Sequence, residues 1–363
     1  MYENDPLVLV VSDVHLGAIK SDLVSFVNFL EDINNGEFGN QLKALLILGD
    51  FFDLITDIPE TLLEDGTIQR IFRLLIEIKR KLAVIIALGN HEVPITGNII
   101  TGTYDQKFKG RKDKFLNKFK DGKFNKLFDE TSFCQYIVLK KWKNKDMLLL
   151  YDSRDQIFNE PISKIKINGL DLDSSYICLM MHGYQFENNL VRFFIGPYWK
   201  SLINSDNIIL KQIYDYFWNE IIKSKKEIGP ITIRIMKDYL INRKMISTDV
   251  INSQFSKLKF IDFELLKLQM RILNLWQSSR TPEYYLDGIK DFLEDEDHDF
   301  SMVNYIVYGH SHDMDIRDAI INDRLVEIIN VGAWQHVKPS YAGIFHKGKI
   351  DVKNMPELIA PQI

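Results

Sequence analysis

Apolar and polar positions recur along this chain in one order. Residues 7–11, 44–48 and 83–88 are short apolar runs, the pattern of strands buried on both faces of a parallel sheet. Each runs straight into a polar cluster: Ser12-Asp13-Val14-His15-Leu16-Gly17, Gly49-Asp50-Phe51-Phe52-Asp53 and Gly89-Asn90-His91-Glu92. Helical spacing follows the first two clusters. Leu23, Phe26, Val27 and Leu30 fall at i, i+3, i+4 and i+7, with Ser21 as the expected N-cap, and Ile68, Ile71, Phe72 and Leu75 repeat the spacing. Such an order predicts parallel strands joined by right-handed crossovers, with the clusters at one edge of the sheet.

Strand-like runs return at 134–139, 147–151 and 176–181, the last ending in His182-Gly183. Another, 305–308, runs into Gly309-His310-Ser311-His312, where the glycine lets the chain turn sharply out of the sheet. β character also marks 325–331, 341–346 and 349–352. Between 190 and 300 no strand-and-cluster unit occurs; helices are predicted at 209–222, 231–240 and 263–276, ahead of the acidic cluster 294–299. Strands flank this segment on both sides. It is therefore read as a helical insertion or cap, 190–300, within one core made of 1–189 and 301–363. The aromatic stretch 192–199 at its start is read as a seam against the core, with an apolar pocket or a membrane contact as alternatives.

Composition narrows the class. The 363 residues, 46% apolar, suit one large domain or two ordinary ones. No run approaches the roughly 18 apolar residues of a membrane span. The start, Met1-Tyr2-Glu3-Asn4-Asp5, lacks a secretory pattern, and two cysteines make no disulfide framework, so a cytoplasmic location is expected. A net charge of −5 speaks against a general grip on nucleic acid. Residues 104–128 are a local exception, with eight lysines and one arginine against three aspartates and five interleaved phenylalanines. The plain reading is a solvated amphipathic segment; a nucleic-acid or anionic membrane contact is the alternative.

The polar residues at predicted strand ends form one set: Asp13, His15, Asp50, Asp53, Asn90, His91, His182, His310 and His312. Five of the eight histidines belong to it; His298, His336 and His346 do not. Carboxylate, imidazole and amide donors without cysteine exclude a structural thiolate site and suit Mn²⁺, Fe or Zn²⁺ in a hydrolytic centre. Seven candidate ligands (Asp13, His15, Asp50, Asn90, His182, His310 and His312) exceed one tetrahedral ion. Shared between two ions they leave room for water and substrate. Against two carboxylates and one hydroxide, two divalent ions keep a positive surplus that attracts a phosphate oxyanion. No Gly-x-Ser-x-Gly elbow supports a serine hydrolase.

Asp13-Val14-His15, Gly49-Asp50-Phe51-Phe52-Asp53, Gly89-Asn90-His91-Glu92, Met181-His182-Gly183 and Gly309-His310-Ser311-His312 resemble, in order, the five motifs of the calcineurin-like metallophosphoesterases. The resemblance covers roughly 7–189 and 303–350. It implies a four-layer α/β/β/α sandwich, here with the helical insertion, and two metal ions between the sheets. Asp13, His15 and His312 would hold the first ion, Asp50 would bridge, and Asn90, His182 and His310 would hold the second. His91 would contact phosphate and donate a proton to the leaving oxygen, oriented by Asp53. Manganese is the first choice of metal, with iron, zinc and nickel as alternatives. Asn330-Val331-Gly332-Ala333-Trp334 resembles the family's late Asn-x-Gly-Ser-Trp strand end, with alanine in place of serine. Ser12 to Gly17, Phe51-Phe52-Asp53 and His182-Gly183-Tyr184-Gln185-Phe186 look closest to the branch of UDP-diacylglucosamine pyrophosphohydrolases. That branch is much shorter than this chain. The expected activity is hydrolysis of a phosphodiester, phosphomonoester or pyrophosphate bond through a metal-bridging hydroxide. The alternatives are a metal-dependent nuclease acting on single-stranded nucleic acid and a non-catalytic binding scaffold.

Overall fold

The computed structural model describes residues 5–18, 21–53, 65–92, 132–186, 281–294, 300–334 and 339–355. In chain order come β1 (Val8–Val11), α1 (Leu23–Asn35), β2 (Ala44–Leu48), α2 (Gly66–Lys79), β3 (Ala83–Ala87) and β4 (Phe133–Cys134). Next are β5 (Tyr136–Trp142), β6 (Lys145–Tyr151), β7 (Ser163–Lys166), β8 (Ile177–Met181) and α3 (Pro282–Leu293). The chain then adds β9 (Tyr305–Tyr308), β10 (Met314–Ile321), β11 (Arg324–Val331), β12 (Ser340–Ile344) and β13 (Ile350–Asn354). One sheet has the order β13-β12-β1-β2-β3-β4 and the other β10-β11-β9-β8-β5-β6-β7. β1, β2 and β3 run parallel, as do β8 and β9, so each of these two groups ends at a common edge.

Alternation along the strands sorts the core into three apolar layers. Leu9, Val11, Leu45, Ile47 and Ile86 of the first sheet face α1 and α2, meeting Phe26, Leu30, Ile71 and Leu75. The intervening residues Val8, Val10, Leu46 and Ile85 face the second sheet, where Ile137, Leu148, Met180 and Val307 receive them. On that sheet's far side Val138, Leu149, Leu179 and Ile306 pack against Tyr285, Ile289, Phe292 and Leu293 of α3. The layers are therefore α/β/β/α. α3 falls inside 190–300 and supplies the fourth layer. The predicted helices 209–222, 231–240 and 263–276, and the stretches 104–128 and 192–199, lie outside the described residues.

Local chemistry sets the element ends. The N-cap of α1 is Asp22, not Ser21: its carboxylate accepts from the Ser25 amide at 3.0 Å and the Ser25 hydroxyl at 2.7 Å. A charged acceptor suits the positive end of a helix better than a hydroxyl, and the Ser21 hydroxyl donates instead to the His15 carbonyl. α2 is capped by Asp65, which accepts from Thr67 and Ile68 amides, and α3 by Thr281 ahead of Pro282. Lys143-Asn144 and Asn322-Asp323, all at positive φ, make the two-residue turns of the β5–β6 and β10–β11 hairpins. No helix among the described residues is long and apolar enough to cross a membrane.

Candidate metal centre

All nine residues singled out in the sequence meet where β1, β2, β3, β8 and β9 end. Asp13 and His15 follow β1, Asp50 and Asp53 follow β2, Asn90 and His91 follow β3, His182 follows β8, and His310 and His312 follow β9. Two cross-sheet bonds join the halves. The His310 amide donates to Asp13 Oδ2 at 2.8 Å, and His182 Nδ1 donates to the Leu48 carbonyl at 2.8 Å. His346 lies elsewhere, on an exposed turn facing Gly169. His298 and His336 are outside the described residues.

The backbone here is bent against its preference. Asp13, His15, Asp50, His310 and His312 all sit at φ between 46 and 71°. Such left-handed conformations cost about 1–3 kcal/mol each and persist only where the surroundings impose them. The imposing bonds run between neighbouring strand ends: Asp13 amide to Gly49 carbonyl at 3.1 Å, His15 amide to Asp50 carbonyl at 2.7 Å, and Trp334 amide to Asp13 carbonyl at 3.1 Å. Close approach also demands glycine. A Cβ on Gly309 would stand 2.3 Å from Asp13 Oδ2, and one on Gly49 would stand 2.5 Å from the His182 ring.

Two groups of donors result, Asp13–His15–His312 and Asp50–His182–His310, and a third, His15–Asp53–His91, lies beside them. Within the first, Asp13 Oδ1 is 3.2 Å from His312 Nε2 and 3.6 Å from His15 Nε2. Within the second, His182 Nε2 is 3.2 Å from Asp50 Oδ2, 3.0 Å from Asn90 Oδ1 and 3.2 Å from His310 Nδ1. Asp50 Oδ2 also lies 3.6 Å from His15 Nε2, so one oxygen faces both groups. The other oxygen of Asp50 is occupied by the His91 amide at 2.8 Å. His91 Nδ1 meets Asp53 Oδ1 at 2.9 Å, and its Nε2 points back toward Asp50 Oδ2 at 3.9 Å.

Electrostatics agree with this crowding. Burial works against charge on Asp50, but the facing His182 and His91 hold its carboxyl well below the usual range. The same balance holds Asp13 low through His182, and Asp53 low through His91. Conversely, burial opposes the imidazolium forms, yet the carboxylates outweigh it. Asp50 and Asp13 push His182 up to about 9, and Asp50 and Asp53 push His91 up to about 10. The pocket as built calls for added positive charge.

Three supporting residues had no role in the sequence reading. Glu92, fully buried, accepts from the Asp50 amide at 3.0 Å, the Gly89 amide at 2.7 Å and the Phe52 amide at 2.8 Å. Burial and the Asp50 charge push its carboxyl up to about 8, while the Phe52 and Gly89 amides pull it down. With three donors on two oxygens we take it as a carboxylate. Ser12 lies with its hydroxyl 2.5 Å from Asp13 Oδ2 and 2.6 Å from the Leu48 carbonyl. Asn330 donates to the Gly309 carbonyl at 3.2 Å and to the Ser311 hydroxyl at 2.5 Å, bracing the β9 loop. Asn330 was visible in its strand-end motif; Glu92 offered only its place two residues after Asn90.

Residues 6–314 match the profile of the calcineurin-like phosphoesterases. The chain belongs to that family. Membership makes it a metal-dependent phosphoric ester hydrolase and implies a dinuclear divalent metal centre. Two solved structures share the likeness at low identity. One is a dimetal phosphatase from Danio rerio, 9% identical over 96% of both chains, with a TM-score of 0.36. The other is a 5′-nucleotidase from Candida albicans SC5314, 12% identical over 94% of this chain and 48% of that one, with a TM-score of 0.31. No curated protein matches the chain.

The donor set of this phosphoesterase fits the implied ions. His182 Nδ1 faces a carbonyl, which only accepts, so one ring proton is there, and Nε2 is the nitrogen whose lone pair a cation would take in place of the second proton that Asp50 and Asp13 favour. Around that lone pair stand a carboxylate oxygen, an amide oxygen and a second imidazole nitrogen, all within 3.2 Å. Asp13 Oδ1 and both ring nitrogens of His15 are buried without a hydrogen-bond partner. Buried polar atoms are ordinarily satisfied, and a cation would satisfy the Asp13 oxygen and the lone-pair nitrogen of His15, the other ring nitrogen bearing the proton.

Proposed function

We propose that this phosphoesterase hydrolyses a phosphoester or pyrophosphate bond, and that Asp13, His15 and His312 would hold one divalent ion, Asn90, His182 and His310 would hold a second, and Asp50 would be shared between them. The carrying observation is the convergence on His182 Nε2 of three further lone-pair atoms. Bound there, two divalent ions supply Lewis-acid charge for phosphoryl oxygens and lower the pKa of water. The protein's own part is positional. Asp50 turns one oxygen to both groups because the other is fixed by the His91 amide. His91, only 14% exposed at its side chain, is oriented by Asp53 and would donate a proton to the leaving oxygen. It lies beside the two donor groups and outside both.

Oxygen and imidazole donors without thiolate favour manganese, with iron, zinc and nickel as alternatives. In this reading the core spans 1–189 and 301–363, and the cap, 190–300, delivers α3 to the fourth layer. Cys134 and Cys178, both buried and in no disulfide, suit a reducing, cytoplasmic setting. The test is a metal-dependent panel on a phosphomonoester, a phosphodiester, a nucleotide diphosphate sugar and single-stranded DNA. Turnover of at least one, abolished by chelation and restored by Mn²⁺, is expected. Turnover indifferent to chelator would overturn the reading.

A further inference from the structure

We propose that the outer face of the second sheet, beyond the end of α3, binds single-stranded nucleic acid. Residues directly opposite on neighbouring strands share a face. Val138 pairs with Leu149, Lys140 with Met147 and Trp142 with Lys145 across β5–β6. Leu149 pairs with Lys164 and Met147 with Lys166 across β6–β7. Val138 and Leu149 lie under α3. One step further from the metal centre the face becomes Lys140, Trp142, Lys145, Lys164 and Lys166 around a half-buried Met147.

The indole is surrounded by ammonium groups: Lys140 Nζ lies 5.1 Å and Lys164 Nζ 5.6 Å from its ring centroid. Among the described residues Lys164 is paired with Glu160 at 2.5 Å, while Lys140, Lys145 and Lys166 have no acidic partner. Unpaired lysines gathered on one strip of a chain with net charge −5 form a local field that a polyanion meets at this face and not in general. Two ammoniums about an aromatic ring, with Lys145 and Lys166 on the same sheet face, match a strand whose phosphates and bases are both accessible. A duplex hides its bases and gains nothing from Trp142. A lipid surface is a poorer fit, because the hairpin leads with exposed Lys143 and Asn144 and no apolar side chain to enter it. β5 starts level with Met181, so Trp142 stands roughly 20 Å from the metal-bearing strand ends. This surface is separate from that centre, and its occupancy does not depend on the metal assignment.

The test is fluorescence anisotropy of labelled 20-nucleotide oligo-dT and oligo-rU with the full chain in EDTA, across a salt series. Binding should favour single strand over duplex and weaken with salt at a log–log slope of about −2 to −3, as for three or four phosphates. Lys145→Glu/Lys166→Glu, both exposed, should weaken it at least tenfold. Trp142→Leu keeps the packing, loses the stacking and should weaken it by about 5- to 150-fold. Metal-dependent turnover of a small chromogenic phosphodiester should stay unchanged in both variants, separating this surface from the centre. Absent binding at low salt, binding unchanged in the folded variants, or preference for anionic phosphatidylserine vesicles would each overturn the proposal.

Discussion

Glu92→Gln isolates the clamp beneath the centre. The wild-type carboxylate accepts three backbone N–H groups, two on Oε2 and one on Oε1. Glutamine has a single acceptor oxygen. Its better orientation keeps that oxygen against Asp50 and Gly89 and turns its NH2 toward the Phe52 amide. One buried donor is then unsatisfied, at about 1–3 kcal/mol. The two surviving bonds also lose their charge assistance, adding roughly 1 kcal/mol. A loss of about 2–4 kcal/mol is survivable for a domain with ordinary stability of about 5–15 kcal/mol, so the variant folds. Its melting temperature should fall by roughly 4–8 °C. The larger effect is on Asp50, whose left-handed backbone lies between the weakened bond at its own amide and the lost bond at Phe52. Mn²⁺ titration followed by calorimetry should show weakened binding, and turnover should drop more than stability does. A Glu92→Gln protein with wild-type melting temperature and wild-type Mn²⁺ affinity would refute the reasoning.

Asp50→Asn removes a carboxylate charge whose Oδ2 faces both donor groups, so metal analysis should find bound metal reduced at both and turnover nearly abolished; retained activity would count against sharing. His91→Ala should keep bound metal in elemental analysis yet slow turnover by about 10²–10⁴, since its ring touches Asp53 and not the donor groups' ligands at bonding distance. Removing metal with chelator should lower the melting temperature, because ligand at 100 times its dissociation constant adds about 2.7 kcal/mol, and Mn²⁺ should restore it. A melting curve indifferent to chelator and metal would contradict a bound pair of ions.

The strand ends were legible because burial and chemistry change together there: Val8–Val11 and Ala44–Leu48 are apolar throughout, and Asp13 and Asp50, two residues after each, are buried carboxylates. The fold order β1–α1–β2–α2–β3 followed from that alone. Elements outside the pattern were not legible. β10, Met314–Ile321, lies at a sheet edge with apolar Met314, Ile316 and Ile320 exposed and Asp315 and Arg317 half-buried on the other face, so its pattern does not follow burial. α3 had its signals, Thr281 and Pro282 before Tyr285, Ile289 and Phe292, but they were masked by the long helical-looking segment around them. Glu92 was invisible for a deeper reason. A glutamate in a turn reads as solvated, and only tertiary structure shows three amides aimed at it. Conformation was equally hidden. Positive φ at Lys143, Asn144, Asn322 and Asp323 is what two-residue hairpin turns demand and says nothing of function. Positive φ at Asp13, His15, Asp50, His310 and His312 has no such local cause, since none lies in a hairpin turn. It is held by bonds between strand ends of both sheets, and its effect is to bring donors together that would otherwise diverge. The strain at these five residues is therefore a feature of the meeting strand ends, which residue types and spacing alone do not contain.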